Sequence, residues 1–191
     1  ALRIFSLRTM KRIFSSYLWG MPEERLHALV DEFLETEFAA AVYPEVIAEV
    51  VRNRKEGRIL ILNSASPEFY LDHFLGTQMI TEDPMPFLPR IVGPNNKHGA
   101  KITAMIAKEI IPPGDGPLPD SIAYSDSSAD IPLLSHAEKG VMIHPGEALR
   151  AAGAEKEWTT MTPLRPYRGK WGARLTNLRQ AFGLWPLAGK H

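Results

Sequence analysis

SIAYSDSSADIPLL (residues 121–134) begins with residues of strand character and breaks at Ser125-Asp126-Ser127. A second carboxylate, Asp130, follows before the apolar Ile131, Leu133 and Leu134. The pattern predicts a strand at 121–125, an acidic turn, and a helix over 129–136. Downstream, GVMIH (140–144) predicts another strand and 146–152 a helix. Upstream, the Pro- and Gly-rich PPGDGPLPD is a linker, preceded by a helix over 99–111.

The same alternation extends back to Gly57. RILILN (58–63) predicts a buried strand, and SASP then turns into a helix with Pro67 near its first position, followed by Phe69, Leu71 and Phe74. The Pro-rich section 84–94 is loop with a short strand at 90–92. Before Gly57 the chain is helical throughout, with helices expected over 2–19, 22–42 and from Pro44 to Gly57. Leu26, Leu29, Val30, Phe33, Leu34 and Phe38 make one apolar stripe in the second of these. Strands alternating with helices predict an α/β fold, a Rossmann-like three-layer α/β/α parallel sheet, with the helical section before Gly57 as a separate lid or an outer layer. The expected divisions are 1–43, 44–158 and a basic, aromatic extension at 159–191.

Composition narrows the chemistry. The 191 residues carry no net charge and are 45% hydrophobic, as in an ordinary globular domain with no global attraction to nucleic acid. The absence of cysteine excludes disulfides, thiolate metal sites and cysteine nucleophiles, and fits a cytoplasmic location. No apolar run approaches the roughly 18 residues that span a bilayer. The first residue is Ala rather than Met, a hint of sequence upstream.

Ligands of such sheets lie beyond the carboxyl ends of the strands. At the first strand end, the Ser64 hydroxyl and the Ala65 and Ser66 amides suit a phosphate oxygen at a helix start, and equally suit a plain helix cap. At the second, Asp126 offers a hard oxygen to Mg²⁺, while Asp130 lies one turn on; a capping aspartate followed by a solvated acid is the alternative. Lys101 opens a helix, where its charge opposes the dipole; it is either a point charge for a phosphate or a solvated lysine. His98, Arg90 and Lys97 lie near by in sequence, and His144 follows a strand.

The order hhhxSAS, a helix-start lysine and hhYSDSxxDhPLL resembles the haloacid dehalogenase superfamily, with phosphoserine-phosphatase-like phosphatases nearest. The resemblance covers residues 20–158. It implies a Mg²⁺-dependent phosphomonoester hydrolase with an early helical cap, acting on a small phosphorylated substrate. Ser64 and Ala65 would bind phosphate, Lys101 would neutralise it, Asp126 would ligate Mg²⁺, and Asp130 would support both. One departure is plain: no Asp-x-Asp pair occurs anywhere in the chain. The family's nucleophile strand is therefore expected on a segment outside these residues. Two other readings stay open: an inactive phosphate-binding or scaffold protein, and an enzyme of lipid phosphates that touches membrane surfaces through its cationic, aromatic ends.

Overall fold

The structure is a computed structural model that describes residues 6–36, 42–67, 75–77, 79, 82–93 and 95–164. These fall into two units, one drawn from Ala1–Val30 and Ile61–Met161, the other from Asp31–Leu60 and Thr162–His191.

In the first unit, strands β3 (Leu118–Ser125), β4 (Ala137–Ile143) and β5 (Thr159–Met161) form a parallel sheet in that order. A 3₁₀ turn at Ser128–Asp130 and helix α5 (Ile131–His136) connect β3 to β4, and helix α6 (Glu147–Glu155) connects β4 to β5. These successive βαβ crossovers are the repeating unit of a Rossmann-like α/β fold. A second parallel pair, β1 (Asn63–Pro67) with β2 (Leu75–Thr77), forms a separate ladder. Helix α4 (Ala100–Ala107) lies between this pair and the three-stranded sheet in sequence.

The core of the larger sheet explains its sequence. Leu134, Met142 and Leu149 are buried together, with Ala123, Ile131 and Trp158 against them. Gly140 on β4 is required by that packing, because a Cβ there would lie 2.6–2.8 Å from the Trp158 indole. Met105 and Ile111 anchor a neighbouring cluster with Leu118 and Leu133, which packs α4 against the start of β3 and α5.

Helix α1 (Leu7–Ser15) is capped by Ser6, whose hydroxyl accepts the Thr9 N–H at 3.1 Å. A 3₁₀ turn, Ser16–Leu18, leads to helix α2 (Glu23–Thr36), whose first turn carries Glu23 and Glu24 as the helix dipole favours. Leu18, Leu26 and Met85 are buried together, and the Met21 and Met85 backbones are joined by a 2.9 Å bond. In the second unit, helix α3 (Pro44–Lys55) starts with proline, and its Glu45 Oε1 accepts the Leu164 N–H at 3.2 Å. Its Asn53, 5% exposed, donates to the Glu49 carbonyl at 2.8 Å.

Several elements differ from the sequence expectation. The strand expected at 58–63 lies instead at Asn63–Pro67, and Ile59 is 87% exposed. A ladder forms only where a neighbour exists, and pairing with β2 begins at Asn63↔Leu75. Pro67 ends a strand rather than opening a helix; Phe69, Leu71 and Phe74 lie outside the described residues. β3 begins at Leu118, inside the expected linker, because Leu118 pairs with Ala137. The segment expected as a strand at 90–92 contributes a single bridge, Ile91 to Met79. β5 was not expected: three residues carry too little periodicity to register. Among the described residues, no helix is long and apolar enough to cross a membrane.

Candidate functional site

The acidic turn after β3 is built around one buried carboxylate oxygen. Asp130 Oδ2 accepts from Lys101 Nζ at 2.7 Å and from Ser125 Oγ at 2.8 Å. Lys101 and Asp130 are 6% and 7% exposed, so two opposite charges stand together with little water. Such a pair persists only when its hydrogen bonds are well formed, because each ion gives up its hydration. The local fold supplies those bonds. Ser125 closes β3, and its hydroxyl also accepts the Ser127 N–H at 3.1 Å, which shapes the turn. Ser127 in turn accepts the Ala129 N–H at 3.2 Å and caps the 3₁₀ turn that carries Asp130.

Lys101 sits in the first turn of α4, after Gly99. There the helix dipole disfavours a cation, and the buried Asp130 carboxylate offsets that cost. His98, just before the helix, is exposed and takes a left-handed backbone (φ 55°) while its carbonyl accepts the Lys101 N–H at 3.2 Å. It serves the helix start through its backbone.

The backbone of Lys101 also ties α4 to β1. Asn63 Nδ2 donates to the Lys101 carbonyl at 3.1 Å. Asn96, 3% exposed, donates its amide to Asn63 Oδ1 and to the Ser64 carbonyl, both at 2.8 Å. Ser64, Lys101 and Asp130 therefore belong to one polar network running from β1 through α4 to the turn after β3. Ser64 itself lies inside β1 rather than at the start of a helix, and its hydroxyl accepts the Ser66 N–H at 3.1 Å. The pair of free helix-start amides expected at 65–66 is thus replaced by a strand with a local serine turn. The Ala65 carbonyl accepts from Lys11 Nζ of α1.

Asp126 stands apart. It is exposed, and among the described residues its side chain forms no hydrogen bond or ion pair. A free carboxylate at a strand end suits Mg²⁺, an ion commonly held by one or two carboxylates with water and phosphate oxygens completing the shell. Among the described residues no group of three His, Cys, Asp or Glu side chains gathers into a full metal cage. The donor set fits an ion shared with a ligand, not one enclosed by this chain alone.

Ser125, Asn95, Asn96 and Lys11 escaped the sequence reading. Ser125 lies within the motif, but its apolar neighbours mark it as strand. Asn95 and Asn96 lie in a Pro-rich loop, where adjacent asparagines are ordinary turn residues. Lys11 belongs to a cationic helix 54 positions from Ala65, and no local spacing reports that contact. Arg90 is exposed, Lys97 is partly buried, and His144 donates its backbone N–H to Met161 at 3.0 Å.

Comparison with known proteins bears on the family and the fold. A Mycobacterium tuberculosis protein described as a probable phosphatase is 23% identical over 164 residues, which cover 77% of this chain and 53% of that protein. A second protein of that species, described as uncharacterized, matches to the same extent. The chain thus spans about half the length of the curated relatives it matches. A crystal structure from Bordetella pertussis Tohama I, of a protein with unknown function, shares the fold with TM-score 0.69 and 18% identity, over 82% of this chain and 74% of that one. The family model for haloacid dehalogenase-like hydrolases matches residues 1–135, more than half of the sequence and all of the network from Lys11 to Asp130. The chain belongs to the haloacid dehalogenase-like hydrolase family.

Proposed function

We propose that the protein is a Mg²⁺-dependent phosphomonoester hydrolase, and that this chain supplies its phosphate- and metal-binding half. The observation that carries the reading is the buried Lys101–Asp130 pair at 2.7 Å, tied through Asn63 and Asn96 to Ser64. Burying an ammonium there is costly, and a phosphoryl group gives it a purpose. The Ser64 hydroxyl donates to the phosphate, and Lys101 neutralises its developing charge. Asp130 holds Lys101 in place, and Asp126 binds the metal. When bound, Mg²⁺ supplies charge neutralisation and orients the phosphoryl oxygens.

The nucleophile belongs to an Asp-x-Asp strand outside these 191 residues. There a carboxylate oxygen attacks phosphorus, and the P–O bond to the alcohol breaks as the second aspartate donates its proton. Water, losing a proton to that same aspartate, then cleaves the aspartyl-phosphate to give inorganic phosphate. The separation of β1–β2 from β3–β4–β5 is consistent with a further strand joining them. Among family members the phosphoserine-phosphatase-like enzymes are the nearest analogy, with the helices before residue 44 as cap and a small phosphorylated metabolite as substrate.

A second reading rests on the missing Asp-x-Asp pair: an inactive phosphate-binding protein. The two separate in one assay of p-nitrophenyl phosphate hydrolysis. The 191-residue chain alone should be inactive, while the complete gene product should hydrolyse the ester, stop with EDTA, and lose activity in Lys101→Met. EDTA-sensitive hydrolysis by the chain alone would refute the placement of the nucleophile. An inactive complete product would favour the binding protein.

A further inference from the structure

Helix α1 sits on the protein with its polar face inward. Arg8 donates to the Gly93 and Ile91 carbonyls, Lys11 to the Ala65 carbonyl, and Arg12 to the Pro89 carbonyl at 3.0 Å and the Leu88 carbonyl at 3.3 Å. At about 3.6 residues per turn, Ile13, Phe14 and Tyr17 lie on the opposite side of the helix. Phe14 and Tyr17 are each more than half exposed, and Ile13 is 41% exposed. The usual surface helix is turned the other way, with its apolar stripe to the core and its charges to water.

The apolar face continues past the helix. Trp19 follows the 3₁₀ turn, and its ring meets Phe87 edge-on with centroids 5.5 Å apart, both side chains being more than half exposed. The backbone beneath them is paired: the Gly20 N–H donates to the Met85 carbonyl at 2.8 Å, and the Met85 N–H donates to the Met21 carbonyl at 2.9 Å. Four aromatic side chains from two short segments thus stand in solvent, a grouping that marks an interaction surface.

Charge selects the occupant. Residues 6–22 and 84–98, which build this face, hold Arg8, Lys11, Arg12, Arg90 and Lys97 and no carboxylate, in a chain whose net charge is zero. Arg8 and Arg12 bond to neutral carbonyls, so among the described residues their charge is not cancelled. Glu23 and Asp83 meet at the other end of the Met21–Met85 pairing, away from Trp19 and Phe87, where the Glu23 N–H donates to Asp83 Oδ1 at 3.2 Å. A second copy set against this face by two-fold symmetry would bring cations against cations. The strand expected outside these residues needs a sheet edge, which a helix face does not offer. Aromatic rings at a water boundary, backed by cations, suit the headgroup layer of an anionic bilayer.

We propose that the outward face of α1, with Trp19 and Phe87, is a docking surface for anionic lipid membranes. Phe14, Tyr17, Trp19 and Phe87 enter the boundary between headgroups and acyl chains. A helix is only about 10 Å across, comparable to a Debye length of about 8–10 Å, so the cations behind it still attract the lipid phosphates. This placement holds whether or not the protein is a phosphatase.

The chain has no cysteine, so a single Phe14→Cys substitution carries a polarity-sensitive fluorophore at one known place. With vesicles of equal parts phosphatidylcholine and phosphatidylglycerol the label should shift to the blue. The same label at Glu155→Cys, on the exposed end of α6, should not. In flotation with these vesicles, Phe14→Ser and Trp19→Ser should each weaken binding about tenfold, as loss of one buried aromatic implies. Arg90→Gln should weaken it about fivefold, Trp19→Phe should stay near wild type, and circular dichroism should show each variant folded. Vesicles of phosphatidylcholine alone should bind far more weakly. Failure to float with the anionic vesicles would overturn the proposal, and so would equal binding to neutral ones. Flotation that leaves the Phe14 label in water would place the lipid contact elsewhere, on the basic extension for example, and would overturn it too. Binding to poly-glutamate but not to vesicles would give the face to an acidic protein instead, and self-association lost in Trp19→Ser without vesicle binding would give it to a second copy.

Discussion

Neutralising Asp130 by Asp130→Asn keeps its shape and removes the charge that faces Lys101. At 2.7 Å and an effective dielectric of about 20, the gross attraction lost is about 6 kcal/mol. Part of that is offset by the hydration the carboxylate regains on unfolding, and stripping one partner from a buried pair costs about 3–5 kcal/mol in practice. Against a typical total of about 5–15 kcal/mol the change is large. With a urea slope of about 2 kcal/mol per molar, the unfolding midpoint should fall by about 1.5–2.5 M. Urea titration followed by circular dichroism measures the shift. The double variant Lys101→Met with Asp130→Asn should be less destabilised than the sum of its single variants by about 2 kcal/mol or more, because the second change removes the stranded ammonium. A midpoint shift below about 0.5 M, or strict additivity of the two changes, would refute the buried pair as the electrostatic centre of the site.

Other consequences concern the surrounding network. Asn96→Ala removes both 2.8 Å bonds from a buried amide and should cost about 1–3 kcal/mol; retention of wild-type stability and phosphonate affinity would argue against its role in holding Ser64. Gly140→Ala drives a methyl into the Trp158 indole and should destabilise by about 1–3 kcal/mol, and replacing Trp158 by leucine in the same chain should recover part of the loss in thermal melts. Lys11, resolved by NMR of its side chain, should titrate below the other lysines, and Lys97→Gln should raise it toward the usual value. Because its folded pKa is depressed, its charge opposes folding at neutral pH, and that penalty fades as pH rises through the depressed value. A Lys11 titration indistinguishable from the exposed lysines would contradict its burial.

The α/β character was legible because strand and helix periods alternate plainly from residue 121 onward, where Leu134, Met142 and Leu149 meet in one buried cluster. The candidate site was legible where one short motif holds its own parts: Asp126 and Asp130 lie on a single turn. It was harder to read where chemistry depends on distant chain. Lys101 meets Asp130 across 29 positions, and only the family resemblance linked them. Lys11 meets Ala65 across 54 and was missed, since a cationic amphipathic helix looks the same whether its lysine is solvated or directed inward. The RILIL run misled for a related reason. Its residues have the composition of a buried strand, but a strand needs a neighbour, and the register with β2 begins only at Asn63. The apolar side chains at 59–62 remain exposed as a result.

The central claim is that Asp126 holds a metal close to a phosphate bound at Ser64 and Lys101. Paramagnetic relaxation of the ³¹P signal of methylphosphonate, with Mn²⁺ replacing Mg²⁺, tests it directly. We predict strong relaxation enhancement with the wild-type chain, its loss in Asp126→Asn, and its persistence in Asp115→Asn, where the carboxylate lies on the linker before β3. Enhancement that survives Asp126→Asn, or that never arises with the wild-type chain, would contradict the account.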